Sequence, residues 1–307
     1  MSANGVSREF HSYYRRPIIK EPVWKPEIPW YLFFGGLAGA SSSLVFGSRL
    51  AGNNRLARTA SLTALTGFAI SPILLIKDLG RPERFYNMLR VFKVTSPMSV
   101  GTWIVSAAGM ASGVGAACEL LDVLPTVKRV AETAGGVLGL PVSTYTAALL
   151  ADTAVPVWHE AHRELPLVFA GGAAASAGAA ATLFTPPEQA EPARRFALAG
   201  ASLELAATKA MERRLGKLLA EPYHIGKASR LAKTAKMLTA TGGVLLALAG
   251  RRRPGALAAS SLLLGGSICG RWAVFKAGFE SARDPKYTVV PQRERADRRG
   301  TRLTTNP

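Results

Sequence analysis

Apolar positions in this chain come in long blocks, and polar positions crowd the gaps between them. Pro29 to Leu50 reads PWYLFFGGLAGASSSLVFGSRL, with no charge before Arg49. Gly101 to Cys118 reads GTWIVSAAGMASGVGAAC and carries no charge at all. Runs of about 20 apolar residues are long enough to cross a hydrocarbon core of about 30 Å. Small residues fill these runs, as expected where membrane helices approach closely. The pattern predicts an all-α fold, a polytopic membrane bundle of about eight transmembrane helices. They fall near 29–50, 59–76, 99–121, 135–156, 165–184, 195–211, 235–250 and 256–279. Pro72 sits near the end of the second, which a membrane helix tolerates. The sixth contains Glu204, and the seventh is short and flanked by Lys233 and Lys236, so these two carry the weakest signal. The chain divides into a cytoplasmic segment 1–28, a transmembrane domain 29–279 and a basic tail 280–307.

Charge refines this picture. The net charge of +18 would suggest nucleic acid in a soluble protein. Here the basic residues flank apolar spans, so the partner is membrane lipid and not nucleic acid. With eight helices, 28 of the 38 Lys and Arg fall on the side that holds both termini. Short basic loops stay in the cytoplasm, which predicts cytoplasmic termini and a multi-pass protein of the cell (plasma) membrane. The stretch YYRRPIIK, Tyr13 to Lys20, faintly resembles a twin-arginine signal, but the apolar run after it is too long for a signal peptide. The tail SARDPKYTVVPQRERADRRGTRLTTNP lacks periodicity and is expected to be disordered by itself. It would be either a solvated tail near anionic lipid or an arm that grips a cytoplasmic partner. The two cysteines, Cys118 and Cys269, are too few for an iron–sulfur cluster, which needs about four thiolates.

Three unusual segments fall on the terminal side: EPVWKPEIPWYLFFGG (Glu21–Gly36), KDLGRPERFYNMLRVFKVTSPMSVGTW (Lys77–Trp103) and ADTAVPVWHEAHRELP (Ala151–Pro166). With their surroundings, IPWYLFFGGLAG, the DLGRP…SPMS combination and YTAALLADTAVPVWHEAHRELP, they resemble the polysulfide reductase membrane-subunit family, the NrfD/PsrC-like proteins. The resemblance is good over about residues 24–184 and vaguer over 185–279. It implies an eight-helix anchor of a respiratory oxidoreductase complex that reacts with menaquinone or ubiquinone. Such a subunit carries no haem, cluster or molybdopterin of its own. It docks a ferredoxin-like iron–sulfur subunit, often serving a molybdopterin catalytic subunit, and is not catalytic on the primary substrate by itself.

The residues suit that work. A quinone needs an apolar slot, donors for two carbonyl oxygens and a source of two protons. Ionisable groups inside a membrane are costly and are functional candidates for that reason. Tyr145 and Asp152 lie about two turns apart on one helix. Tyr145 can donate from its hydroxyl, and the resemblance places a quinone-contacting tyrosine there. Asp152 can relay a proton or pair with a loop arginine. His159 and Glu160 follow Pro156 at the interface, where a histidine titrating near neutrality suits proton delivery. His159 and His162 have H-E-x-H spacing, not the H-E-x-x-H of a zinc helix, so no metal is expected.

Glu27, Trp30 and Tyr31 sit where the family builds one wall of its slot, although Trp30 and Tyr31 also suit an interfacial aromatic belt. Some relatives place a histidine or asparagine near this entrance; WKPEIPW has no histidine. Asp78, Arg81, Glu83 and Arg84 match the family's signature loop. Asp78 and Arg81 could pair and fix the loop next to the iron–sulfur partner, or only staple the second and third helices, the structural role being favoured. Glu204 and Arg271 are deep charges, either on a proton path or paired with each other. Three rival readings remain. A cytochrome b anchor needs histidines facing each other inside the spans, and His11, His159, His162 and His224 all lie outside them. A transporter would use breaks such as GGVLGLP, Gly135 to Pro141. A purely structural anchor would have no quinone site.

Overall fold

The computed structural model describes residues 18–304, with side chains from 18 to 297. The Arg15–Arg16 pair and most of segment 1–28 lie outside the described residues. Eleven α-helices follow one another, and no strand occurs among the described residues. They are α1 (Glu27–Leu50), α2 (Asn54–Asp78), α3 (Phe85–Arg90), α4 (Pro97–Leu121), α5 (Pro125–Ala151), α6 (Pro156–Glu160), α7 (Leu165–Phe184), α8 (Glu191–Ala220), α9 (Gly226–Ala249), α10 (Arg253–Arg283) and α11 (Lys286–Thr304).

Their starts follow local chemistry. The Asn53 side chain accepts the Leu56 N–H at 3.1 Å and caps α2. Proline opens α4, α5 and α6, where its missing N–H costs nothing.

Seven helices are long and apolar enough to span a membrane: α1, α2, α4, α5, α7, α9 and α10. Helix α8 coincides with the sixth predicted segment but is less apolar. Several helices outrun their predicted ends: α5 begins at Pro125 rather than near 135, and α9 at Gly226 rather than near 235. Hydropathy registers only the apolar part of a helix whose polar turns project beyond the lipid.

Two four-helix groups make the bundle, α1, α2, α4 and α5 on one side and α7 to α10 on the other. They join chiefly along α1 and α7. Small residues set the spacing. A Cβ on Gly39 of α1 would stand 2.7 Å from the Gly139 carbonyl oxygen of α5. One on Gly200 of α8 would stand 2.3 Å from the Ala175 backbone nitrogen of α7. Without a hydrophobic drive between helices in lipid, such close backbone packing is what holds them. On the face away from the termini, Arg49 of α1 bridges Glu119 of α4 at 2.5 Å and Glu132 of α5 at 2.9 Å. Lys128 adds a second cation on Glu119 at 2.5 Å.

The tail departs from its expected disorder, since α11 runs from Lys286 to Thr304. Its first turn is anchored: Tyr287 is 2 % exposed and its hydroxyl donates to Glu221 at 3.2 Å, while Lys286 pairs with Glu221 at 2.9 Å. Farther along, Arg295 pairs with Glu160 at 2.8 Å. These are tertiary contacts, which local composition cannot reveal.

Candidate functional site

The ends of the helices bring the three unusual segments to one face. The backbone N–H of Lys25 donates to Asp78 at 2.8 Å, and Lys77 pairs with Glu27 at 3.5 Å. These contacts tie the entrance of α1 to the end of α2. Asp78 forms no ion pair with Arg81; its Oδ1 accepts the Lys25 amide, so it staples the start of α1 to the end of α2. Arg81, Glu83 and Arg84 are exposed and form no ion pair with a described residue. They form the outer edge of the turn between α2 and α3.

Beneath that turn, α1, α2, α3 and α4 enclose an apolar groove of about 380 Å³. Phe68 and Pro72 of α2, Phe85 of α3 and Met110 of α4 supply much of its wall. Polar atoms enter it from Tyr31, Thr102 and Ser106. Tyr31 is 4 % exposed, held deep by α1. The Tyr145 ring of α5 presses on Gly101, where a Cβ would lie 2.3 Å from it. Tyr145 thus packs on the same helix that walls the groove, but it does not line the groove itself. Its hydroxyl has no hydrogen-bond partner among the described residues. Trp30 turns the other way, onto Trp272 of α10 at 6.4 Å between ring centroids. The helix-one aromatics are thus divided, and only Tyr31 faces the groove.

Asp152, His159 and Glu160 gather elsewhere. They line a more polar cavity of about 570 Å³, walled also by Tyr287, Gln292 and Arg295. Helix α11 forms one side of it. The His159 segment is firmly held from below. Trp158 is fully buried, donates from Nε1 to the Val274 carbonyl at 2.8 Å and stacks on Trp24 at 5.4 Å. Arg214 of α8 donates to the Glu160 carbonyl and clamps Glu164 at 2.5 and 2.6 Å. That guanidinium holds the Glu164 carboxyl below the usual carboxylate range. His159 Nδ1 lies 3.1 Å from the Ala151 carbonyl, which assigns the proton to Nδ1 and leaves Nε2 as a possible acceptor. His162 Nδ1 meets the His159 carbonyl at 3.0 Å, and the two rings lie 6.4 Å apart. No group of three or more His, Cys, Asp or Glu side chains among the described residues is placed to hold a metal ion.

The single slot expected from Tyr145, Asp152, His159 and the helix-one aromatics is therefore two spaces. Tyr31 lines the apolar groove, Tyr145 packs on α4 at Gly101 without lining it, and the ionisable residues line the polar cavity. Sequence reasoning missed Thr102, Phe85 and Pro72. Thr102 lay inside the quoted SPMSVGTW run, a hydroxyl one turn below a helix start.

The fold has a counterpart among solved structures. It is similar to the structure of bd oxidase from Geobacillus thermodenitrificans, with a TM-score of 0.57, 13% identity and 82% of each chain covered. At that identity the similarity concerns the fold alone. No curated protein sequence matches this one. The model of the NrfD family, polysulphide reductase, matches residues 18–187, more than half of the chain. That stretch holds all three terminal-face segments and the whole groove. The family consists of membrane subunits of quinone-linked oxidoreductase complexes, which interact with quinones and generally partner iron–sulfur and molybdopterin subunits. This chain is a multi-pass membrane protein belonging to the NrfD family.

Proposed function

We propose that this subunit exchanges electrons between an iron–sulfur partner and menaquinone or ubiquinone held in the groove between α1, α2, α3 and α4. The observation that carries this reading is the groove itself. It has the volume of a small-molecule site, apolar walls and a few convergent polar groups. Tyr31 is the donor for a quinone oxygen, with Tyr145, packed on α4 at Gly101, as the second candidate; the Thr102 hydroxyl gives its proton to the Met98 carbonyl at 2.8 Å. The groove lies directly under the exposed Arg81–Arg84 turn, and Phe85 and Leu89 beyond that turn line it. An iron–sulfur subunit docked on this turn brings its cluster near the ring. The basic character of the turn favours an acidic docking face.

Reduction of the quinone takes two electrons from the partner and two protons from the aqueous side. Asp152, His159 and Glu160, which line the polar cavity, would deliver those protons. His159 Nε2 accepts from water and releases toward the groove side. The membrane is the plasma membrane, and the terminal face is cytoplasmic.

The test is quinone-linked turnover of the purified complex. Loss of one hydrogen bond to the ring costs about 0.5–1.5 kcal/mol in binding. Tyr31→Phe and Tyr145→Phe are each expected to slow turnover with quinone. Activity of the catalytic subunit with a soluble dye should stay intact. Asp152→Asn should slow turnover without weakening quinone binding. Full quinone activity in both tyrosine variants, in assembled complexes, would move the site elsewhere.

A further inference from the structure

A second polar site lies in the other half of the bundle, outside residues 18–187 apart from its α7 wall. Helices α7, α8, α9 and α10 enclose a cavity of about 40 Å³. That is room for one water or two, since a water occupies about 30 Å³ of the liquid. Most of its wall is apolar, including Val168, Met211 and Ala235. Glu204 enters it from α8, and the residue is 7 % exposed. Its Oε2 has no hydrogen-bond partner. The hydroxyl of Tyr223, a residue 3 % exposed, borders the same cavity and is also unpartnered.

The arginine expected to pair with Glu204 is held by other groups. Arg271 Nη2 donates to the Phe169 carbonyl at 2.8 Å, and the guanidinium lies 3.9 Å over the Phe169 ring. Arg271 and Glu204 flank the same glycine: a Cβ on Gly172 would be 2.8 Å from Glu204 Oε1 and 3.2 Å from Arg271 Nη2. No ion pair within 4 Å joins them. The remaining charges facing the cavity are Glu212 of α8 and Lys236 of α9, which pair with each other at 2.6 Å. Helix α7 contributes no titratable side chain to the lining. With side chains 18% and 39% exposed, Glu212 and Lys236 mark the mouth.

A buried carboxylate without a direct partner is costly, and a proton relieves that cost. Its ionised form is compensated only through the field of Arg271. Both forms are therefore within reach of one structure. We propose that Glu204 is a proton-exchanging carboxyl, reached by water from the Glu212–Lys236 mouth, in a site separate from the groove. Hydronium gives its proton to the carboxylate, leaving water and the neutral acid, and no electron moves. The ligand of the site is water with its proton.

Infrared pH-difference spectra of the purified protein, with no quinone added, test this directly. The wild type should show a titrating carboxylic C=O band that shifts in D₂O. Glu204→Gln should remove it, and Glu204→Asp should keep it at a shifted position. Lys236→Met should change the rate at which the band responds to D₂O, because it alters the mouth. A flat difference between wild type and Glu204→Gln would overturn the proposal. An unshifted band in Glu204→Asp would do the same, even if the Gln variant fails to fold. The readout needs no quinone, so its failure leaves the groove untouched, and the reverse holds as well.

Discussion

One glycine decides where the His159 segment sits. Trp158 drops onto α10 at Gly278, and a Cβ there would stand 2.0 Å from the indole Cε2. No rotamer of a buried, hydrogen-bonded tryptophan relieves such an overlap. Gly278→Val should therefore cost at least the roughly 1–3 kcal/mol typical of overpacking. A lower Tm of the solubilised protein, with Trp emission shifted to longer wavelength, is the expected result; an unchanged Tm would show that the segment is not anchored there. Gly101 plays the same part for Tyr145. Much of this was legible in the sequence: the tyrosine, the histidine loop and the aromatic entrance were all visible as candidates. Their grouping was not. Tyr145 and Asp152 are two turns apart, but α5 ends at Ala151, so Asp152 has already left the helix. Trp30 and Tyr31 are neighbours on a helix and diverge by about 100°. They point to different helices, and one slot cannot use both as a wall.

At the scale of elements, short pieces are held by long ones. Helix α6 has five residues and no stability of its own. It stays in place through Trp158 and through the Arg214 clamp on Glu164 and Glu160. Because the Glu164 carboxyl is held below its usual range, the clamp's contribution is complete above the ordinary carboxylate range. It is lost as pH falls through the lowered value. Hydrogen exchange of the backbone from 156 to 165, corrected for intrinsic rate, should rise at that acid step. Arg214→Met should raise it already at neutral pH and remove the step; exchange independent of both pH and Arg214 would exclude the clamp. Legibility differs between elements for a similar reason. The seven apolar helices announce themselves by hydropathy. Helix α8 gives a weaker signal, legible as the sixth segment at 195–211, because Glu204 interrupts its buried face and charges flank it. Helix α11 hides more fully, because its anchors, Glu221 and Glu160, lie far away in the chain.

For the whole molecule, the parity of the bundle turns on α8. Among the described residues, seven helices are apolar enough to cross a membrane by composition, and an odd number would put the ends of the chain on opposite sides. The packing argues for eight. Gly171 of α7 abuts Glu204 of α8, while Gly178 abuts Ala193 and Ala197. Rising numbers on one helix meet falling numbers on the other, so α8 runs antiparallel to α7 along most of its length. Its C-terminal part brings Arg214 back to Glu164, at the start of α7. Helix α8 thus covers the same depth as a helix that spans. Its buried Glu204 is tolerated because it faces a protein cavity and not lipid. Eight crossings leave 28 of the 38 basic residues on the terminal face, and that bias predicts a cytoplasmic location. Reporters that are active on only one side of the membrane check both statements. A cytoplasm-active reporter fused after Pro307 should work, and one inserted at Gln189, between α7 and α8, should not. A reporter active only outside the membrane should give the reverse pattern. If both positions report the same side, α8 does not cross, and the basic bias must be recounted with the chain end on the other face.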